Sequence, residues 1–120
     1  MNVVSFETAK QLKEAGFPQP KVIKDGLCGY AKDGRLFCVV PGIMHEIVEI
    51  HSIVFAPSAT DILKELGRKY ILCIASNWWY CEKTQHVNEV PDGFEVMASY
   101  GHENPAEACA AAWLAKNEKP

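Results

Sequence analysis

The spacing of apolar positions along this chain changes several times, and each change predicts an element. Phe6, Ala9 and Leu12 recur at helical spacing behind Ser5, whose hydroxyl can accept an otherwise unpaired amide of the first turn. Val4 and Ala9 stand at the two positions of a hydrophobic staple across that cap. Gly16 closes the pattern and Phe17-Pro18-Gln19-Pro20 forbids its continuation, so a first helix is predicted over 6–15. The period then shortens. Lys32-Asp33-Gly34 separates Leu27-Cys28-Gly29-Tyr30 from Arg35-Leu36-Phe37-Cys38-Val39-Val40, and Asp-Gly tolerates the positive φ angles of a hairpin turn. Two paired strands are expected there, the second broken by Pro41-Gly42.

From His45 to Phe55 the chain is rich in β-branched residues and reads as extended as far as Ala56-Pro57. Ser58-Ala59-Thr60-Asp61 then resembles a capping box, followed by Ile62, Leu63 and Leu66 on one helical face and Gly67 as a stop. This predicts a second helix over 59–66. Strands are expected at about 70–76 and 78–84, with Ser76-Asn77 as a turn or bulge between them. Gln85 to Asp92 is polar and reads as a hairpin loop. Phe94 to Tyr100 forms a last strand, with Phe94, Val96, Ala98 and Tyr100 as one stripe. Asn104 is a good cap, Pro105 suits the first helical position and Glu107 the third, opening an alanine-rich helix over 105–116. Alanines so frequent let a helix lie close to a sheet. Consecutive strands with short connections argue for antiparallel pairing. The expectation is one α+β domain over 1–120, a mainly antiparallel sheet of about four to five strands packed with three helices.

Composition narrows the function classes. The 120 residues are 48% hydrophobic and 22% charged, a globular balance. The net charge is −3 and the twelve Lys and Arg never form a run of three, which disfavours direct nucleic-acid binding. No apolar stretch approaches the roughly 20 residues of a membrane helix, and the first residues lack the pattern of a signal peptide. Five cysteines form no even framework, so reduced thiols and a cytoplasmic location are expected.

Four phrases, VSFETAKQLKEAGFPQP, FAPSATDILKELG, WWYCEK and NPAEACAAAWLAK, occur in that order over most of the chain. Together they resemble the small uncharacterised proteins encoded by bacterial phages and prophage-like elements. The resemblance implies a layered α/β fold and a mobile-element origin. It implies no activity and no site residues. The segment 41–54 departs from the short linker that such proteins carry before the Ala-Pro step.

Candidate chemistry is sparse. On a regular strand His45, Glu49 and His51 would share a face, but the histidines would be about 20 Å apart at a rise of about 3.3 Å per residue. One ion cannot bridge them, and no metal site or cofactor is expected. Cys28 and Cys38 could face each other across the first hairpin, and Cys73 and Cys81 likewise if their strands are neighbours; packing as small apolar residues is the simpler fate of all five cysteines. A cysteine nucleophile would need a base such as His86 or His102, and catalysis is the minority reading. In the run Ser76-Asn77-Trp78-Trp79-Tyr80-Cys81-Glu82-Lys83, alternation puts Trp78, Tyr80 and Glu82 on one face and Trp79, Cys81 and Lys83 on the other. One tryptophan is thus left for the outside. Trp78, Trp79 and Tyr80 are the candidate binding residues, for a protein partner or a second copy of the chain.

Overall fold

The structure, a computed structural model, describes residues 3–21, 26–39, 53–87 and 93–118. Three helices pack with two three-stranded antiparallel sheets. The order is α1 (Phe6–Glu14), β1 (Cys28–Tyr30), β2 (Leu36–Cys38), β3 (Val54–Phe55), α2 (Ala59–Leu66), β4 (Tyr70–Ala75), β5 (Trp78–Val87), β6 (Gly93–His102) and α3 (Pro105–Lys116). The first sheet runs β2-β1-β3 and the second β4-β5-β6. The α+β class and the three helices are as expected. The single sheet of four to five strands is corrected to six described strands in two sheets, because Val54 and Phe55 pair with Tyr30 and Gly29 instead of joining the later strands.

Local chemistry sets the helix starts. The Ser5 hydroxyl accepts the Thr8 N–H, Ser58 and Asp61 form a reciprocal capping box, and Asn104 accepts the Ala106 N–H with Pro105 behind it. Such a cap contributes about 1 kcal/mol. Each start is also tied to distant chain. Glu107 in the first turn of α3 accepts the Ser5 N–H and the Thr8 hydroxyl, both at 2.7 Å, which joins the starts of α1 and α3. The Asn104 amide donates to Val3 O at 3.0 Å, and the buried Tyr30 hydroxyl donates to Val4 O at 2.7 Å. Burial, and then the nearby Glu107 carboxylate, raise the Tyr30 pKa above its usual value.

The core gathers on α3. Pro105, Ala106, Ala108, Cys109, Ala110, Ala112 and Trp113 are all buried, so the helix has almost no solvent side. It packs on α2, on β5 and β6, and against α1. Phe17 meets Trp113 edge-on at 5.1 Å, filling the gap between the end of α1 and the far end of α3. Lys116 Nζ donates to Leu66 O at 3.2 Å, satisfying a terminal carbonyl of α2.

Both hairpin turns form where they are expected, at Lys32-Asp33-Gly34 and at Ser76-Asn77. Between β1 and β2 the Gly34 N–H donates to Ala31 O and the Ala31 N–H to Arg35 O. Gly34 alone takes a positive φ of 89°, so the loop is a three-residue turn ending on a left-handed glycine. Ser76 and Asn77, at φ 52° and 67°, form the two-residue turn between β4 and β5. The strand predicted over 78–84 continues to Val87, into the region expected as loop; Asn88 to Asp92 lie outside the described residues. The stripe expected on the last strand is broken. Ala98 pairs with Lys83 but Val96 with Thr84, leaving Met97 as a bulge that shifts the alternation and leaves Val96 half exposed.

Because α3 lies so close to its neighbours, Ala112→Leu should lower stability by about 1–3 kcal/mol. Ala111→Leu, at the exposed position of the same helix, should stay within about 0.5 kcal/mol of the parent. Urea unfolding of the two variants measures both; equal losses would contradict the packing described.

Candidate functional site

The second sheet has one covered face and one open face. Register fixes which residues share each. Leu72, Cys81 and Tyr100 are aligned across the three strands and pack into the core beneath α3. One step away, Cys73, Tyr80 and Gly101 are aligned on the opposite face, as are Ile71, Glu82 and Ser99. The division of the two tryptophans follows. Trp79 is half-buried against the core, whereas Trp78 stands 47% exposed beside the turn, edge-on to His102 at 6.3 Å. Trp78 is therefore the tryptophan left outside, and α3 is what covers the other face.

Tyr80 is held by a close approach. A Cβ built on Gly101 would lie 2.8 Å from Tyr80 Cε1, so the ring lies over the Gly101 backbone where only glycine fits. Ile71 is 47% exposed on the same face. The open face thus offers Trp78, Tyr80 and Ile71 around Glu82. Of the three residues expected to bind, Trp78 and Tyr80 share this surface and Trp79 does not.

The cysteines divide among three environments. Cys28 and Cys38 are directly opposite in register, 4.1 Å apart at Cα, and are joined by a disulfide. This corrects the expectation of five reduced thiols. It also fits the hairpin, since the flanking residues carry the ladder hydrogen bonds between β1 and β2 and the two cysteines stand at the closer, non-hydrogen-bonded position of the ladder. Cys73 and Cys81 do not face each other. Cys73 is opposite Tyr80 and Cys81 opposite Leu72, a one-residue offset that places them on opposite faces.

Cys81 and Cys109 are both fully buried, where α3 crosses β5, and hydrogen-bond to each other. That hydrogen bond, with burial, holds the Cys109 proton far above the usual thiol range, and it draws Cys81 down. Neither sulfur meets solvent. Cys73 reaches the open face, and its thiol donates to Glu82 Oε1 at 3.2 Å. Its pKa is raised by desolvation first and then by that hydrogen bond and the carboxylate charge. A thiol whose nearest polar neighbour is a carboxylate is poorly placed as a nucleophile, which needs a cation or base beside it.

Of the two proposed bases, His86 and His102, the structure describes the side chain of His102 alone. His102 accepts the Asn104 N–H at Nδ1 and lies against Trp78, neither contact involving a cysteine. The His86 side chain, and His45, Glu49 and His51, lie outside what the structure describes. Among the described residues no three His, Cys, Asp or Glu converge as metal ligands, and no helix is long and apolar enough to cross a membrane.

A cleft of about 370 Å³ opens beside the start of α2, lined by Pro18, Gln19, Pro20, Leu27, Phe55 and Asp61. Its polar side chains are already engaged. The Gln19 amide donates to Phe17 O and accepts the Phe55 N–H, while Asp61 closes the capping box. The cleft holds the loop after α1 to the first sheet and lacks the convergent polar groups of a small-molecule site. Compared with family models, with curated proteins and with solved structures, the chain matches none.

The Cys73 environment has a measurable consequence. Its raised pKa leaves little thiolate at neutral pH, so alkylation should be slow and should climb only above the ordinary thiol range. Glu82→Gln removes the negative charge, lowers the Cys73 pKa and should speed alkylation several-fold at fixed pH. Iodoacetamide kinetics with mass mapping of the labelled residue measure it; an unchanged rate would contradict the assigned role of Glu82.

Proposed function

We propose that this protein is a non-catalytic interaction module that holds a protein partner on the open face of its second sheet. The observation that carries the reading is the exposure of Trp78 beside a Tyr80 ring pinned on Gly101, on a sheet whose other face is covered by α3. A large apolar side chain fixed by the backbone loses little freedom on binding, which makes it an efficient anchor. Among the described residues of its strands the face carries one carboxylate, Glu82, and apolar neighbours in Ile71 and Trp78. Its complement is an apolar segment carrying a basic or hydrogen-bond-donating group opposite Glu82.

The three free thiols argue against catalysis, each by its own surroundings. Two are sealed in the core and the third is paired with a carboxylate. The origin among phage-type accessory proteins rests on the sequence resemblance. A cytoplasmic location is supported by the three free thiols, Cys73, Cys81 and Cys109, and opposed by the Cys28–Cys38 bridge, since structural disulfides are rare in that compartment.

Immobilised protein and three variants test the reading by affinity capture from host-cell extract. A protein retained by the parent and by Leu36→Ala, which alters an exposed residue of the other sheet, should be lost from Trp78→Ala. A loss of on the order of tenfold or more in affinity is expected for removing such an anchor. Gly101→Ala, which displaces the Tyr80 ring without deleting it, should weaken capture as well. Equal retention by all variants would overturn the proposal.

A further inference from the structure

Among the described residues, the β4 edge of the second sheet is unpaired. In the Ser76-Asn77 turn the flanking Ala75 and Trp78 form a hydrogen-bonded pair, so Cys73 with Tyr80 and Ile71 with Glu82 do the same along the ladder. The Thr84 N–H, which donates to Lys69 O at 2.6 Å, continues that parity. Tyr70, Leu72 and Ile74 therefore turn their backbone groups away from β5. The Tyr70 N–H is taken by Gly67 O, at 3.3 Å. The Tyr70 carbonyl and both groups of Leu72 and Ile74 face outward, with no partner among the described residues.

Natural sheets protect such edges with charges, prolines, bulges or brevity. The other edges here carry those devices. On β6 the Met97 bulge interrupts the ladder and Glu95 stands exposed; β2 follows the Asp33–Arg35 ion pair, and β3 is two residues long. Among the described edge strands, β2 and β3 are likewise free of charge, proline, glycine and bulge but are three and two residues long, whereas β4, Tyr70-Ile71-Leu72-Cys73-Ile74-Ala75, runs six residues without any of these devices. It also exposes apolar residues on both of its faces, Ile71 at 47% and Ile74 at 57%.

We propose that β4 pairs antiparallel with the β4 of a second copy of this chain, about a two-fold axis at Leu72, to make one continuous sheet. The register that uses the whole strand sets Leu72 against the partner's Leu72 and Ile74 against the partner's Tyr70. Ile74 N–H then donates to the partner's Tyr70 carbonyl, and both Leu72 groups exchange across the axis. On the sides, Ile71 meets the partner's Cys73 as the closer, non-hydrogen-bonded pair. The charge pattern favours a copy as occupant. The strand is neutral, so no like charges meet at the axis, and Arg68 and Lys69 fall opposite the uncharged Ser76 and Ala75 of the partner. The same patch serves both chains, as a two-fold interface requires.

This inference rests on reading the second sheet as an interaction surface, but it engages the edge and leaves the Trp78 face free. Sedimentation equilibrium of the full chain should show a monomer–dimer equilibrium. Ile74→Pro removes one outward N–H per chain and none of the β4–β5 bonds, and should weaken the dimer on the order of tenfold or more with the far-ultraviolet circular dichroism of the monomer kept. Trp78→Ala should leave the dimer unchanged. Register is read by Ile71→Cys with oxidised glutathione. The two facing thiols give up their protons and electrons to form an intermolecular disulfide, and glutathione disulfide is reduced to two glutathione thiols. A covalent dimer is expected from that variant and not from Leu36→Cys. A monomer at every concentration, a dimer indifferent to Ile74→Pro, or one broken by Trp78→Ala would overturn the edge pairing. A monomer that still captures a protein through Trp78 would overturn the pairing alone, and a dimer with an inert face would overturn only the binding reading.

Discussion

The close seat of α3 among its neighbours is the contact on which the rest of the molecule depends. A helix polar on one side could satisfy only one surface. This one is small and apolar almost all round, so it receives α1, α2 and the β5–β6 ladder at once. Its first turn reaches further: Glu107 fixes the start of α1, and Asn104 holds the strand-like entry at Val3. Its last turn closes α2 through Lys116. Larger side chains at Ala106, Ala110 or Ala112 would push these elements apart together.

That single covering helix also decides where chemistry can occur. The face of the second sheet beneath α3 takes Cys81 and Cys109 out of solvent. The opposite face keeps Cys73, but Glu82, its diagonal neighbour on β5, accepts its hydrogen bond and disfavours the thiolate. Burial and a neighbouring carboxylate thus leave each of the free cysteines poorly placed as a nucleophile, for different reasons. The same geometry displays Trp78, Tyr80 and Ile71 on one sheet face and, among the described residues, leaves the β4 edge unpaired.

Features written in a few adjacent residues were legible in the chain. Ser5, Ser58 and Asn104 announce helix starts because a capping side chain bonds within its own first turn, and the alternation of Trp78 and Trp79 follows from the pleat alone. Features that depend on distant partners were not. Nothing local says that Val54 and Phe55 pair back to β1, and that choice splits the strands into two sheets. Met97 keeps the alternation of its neighbours in sequence, so its bulge is invisible until β5 supplies the register. Spacing allowed Cys28 to face Cys38 but allowed Cys73 to face Cys81 equally well, and a one-residue offset separates the two cases. Which tryptophan stays outside depended on the side that α3 covers.

The division of the second sheet into a sealed and an open face is tested most directly by acrylamide quenching of tryptophan fluorescence in the parent and in Trp78→Phe. Trp113 is buried and Trp79 half-buried, so Trp78 should supply the readily quenched fraction. Loss of that fraction in Trp78→Phe, with the remaining emission poorly quenched, is the predicted result. An equally large accessible fraction in the variant, or none in the parent, would contradict the account.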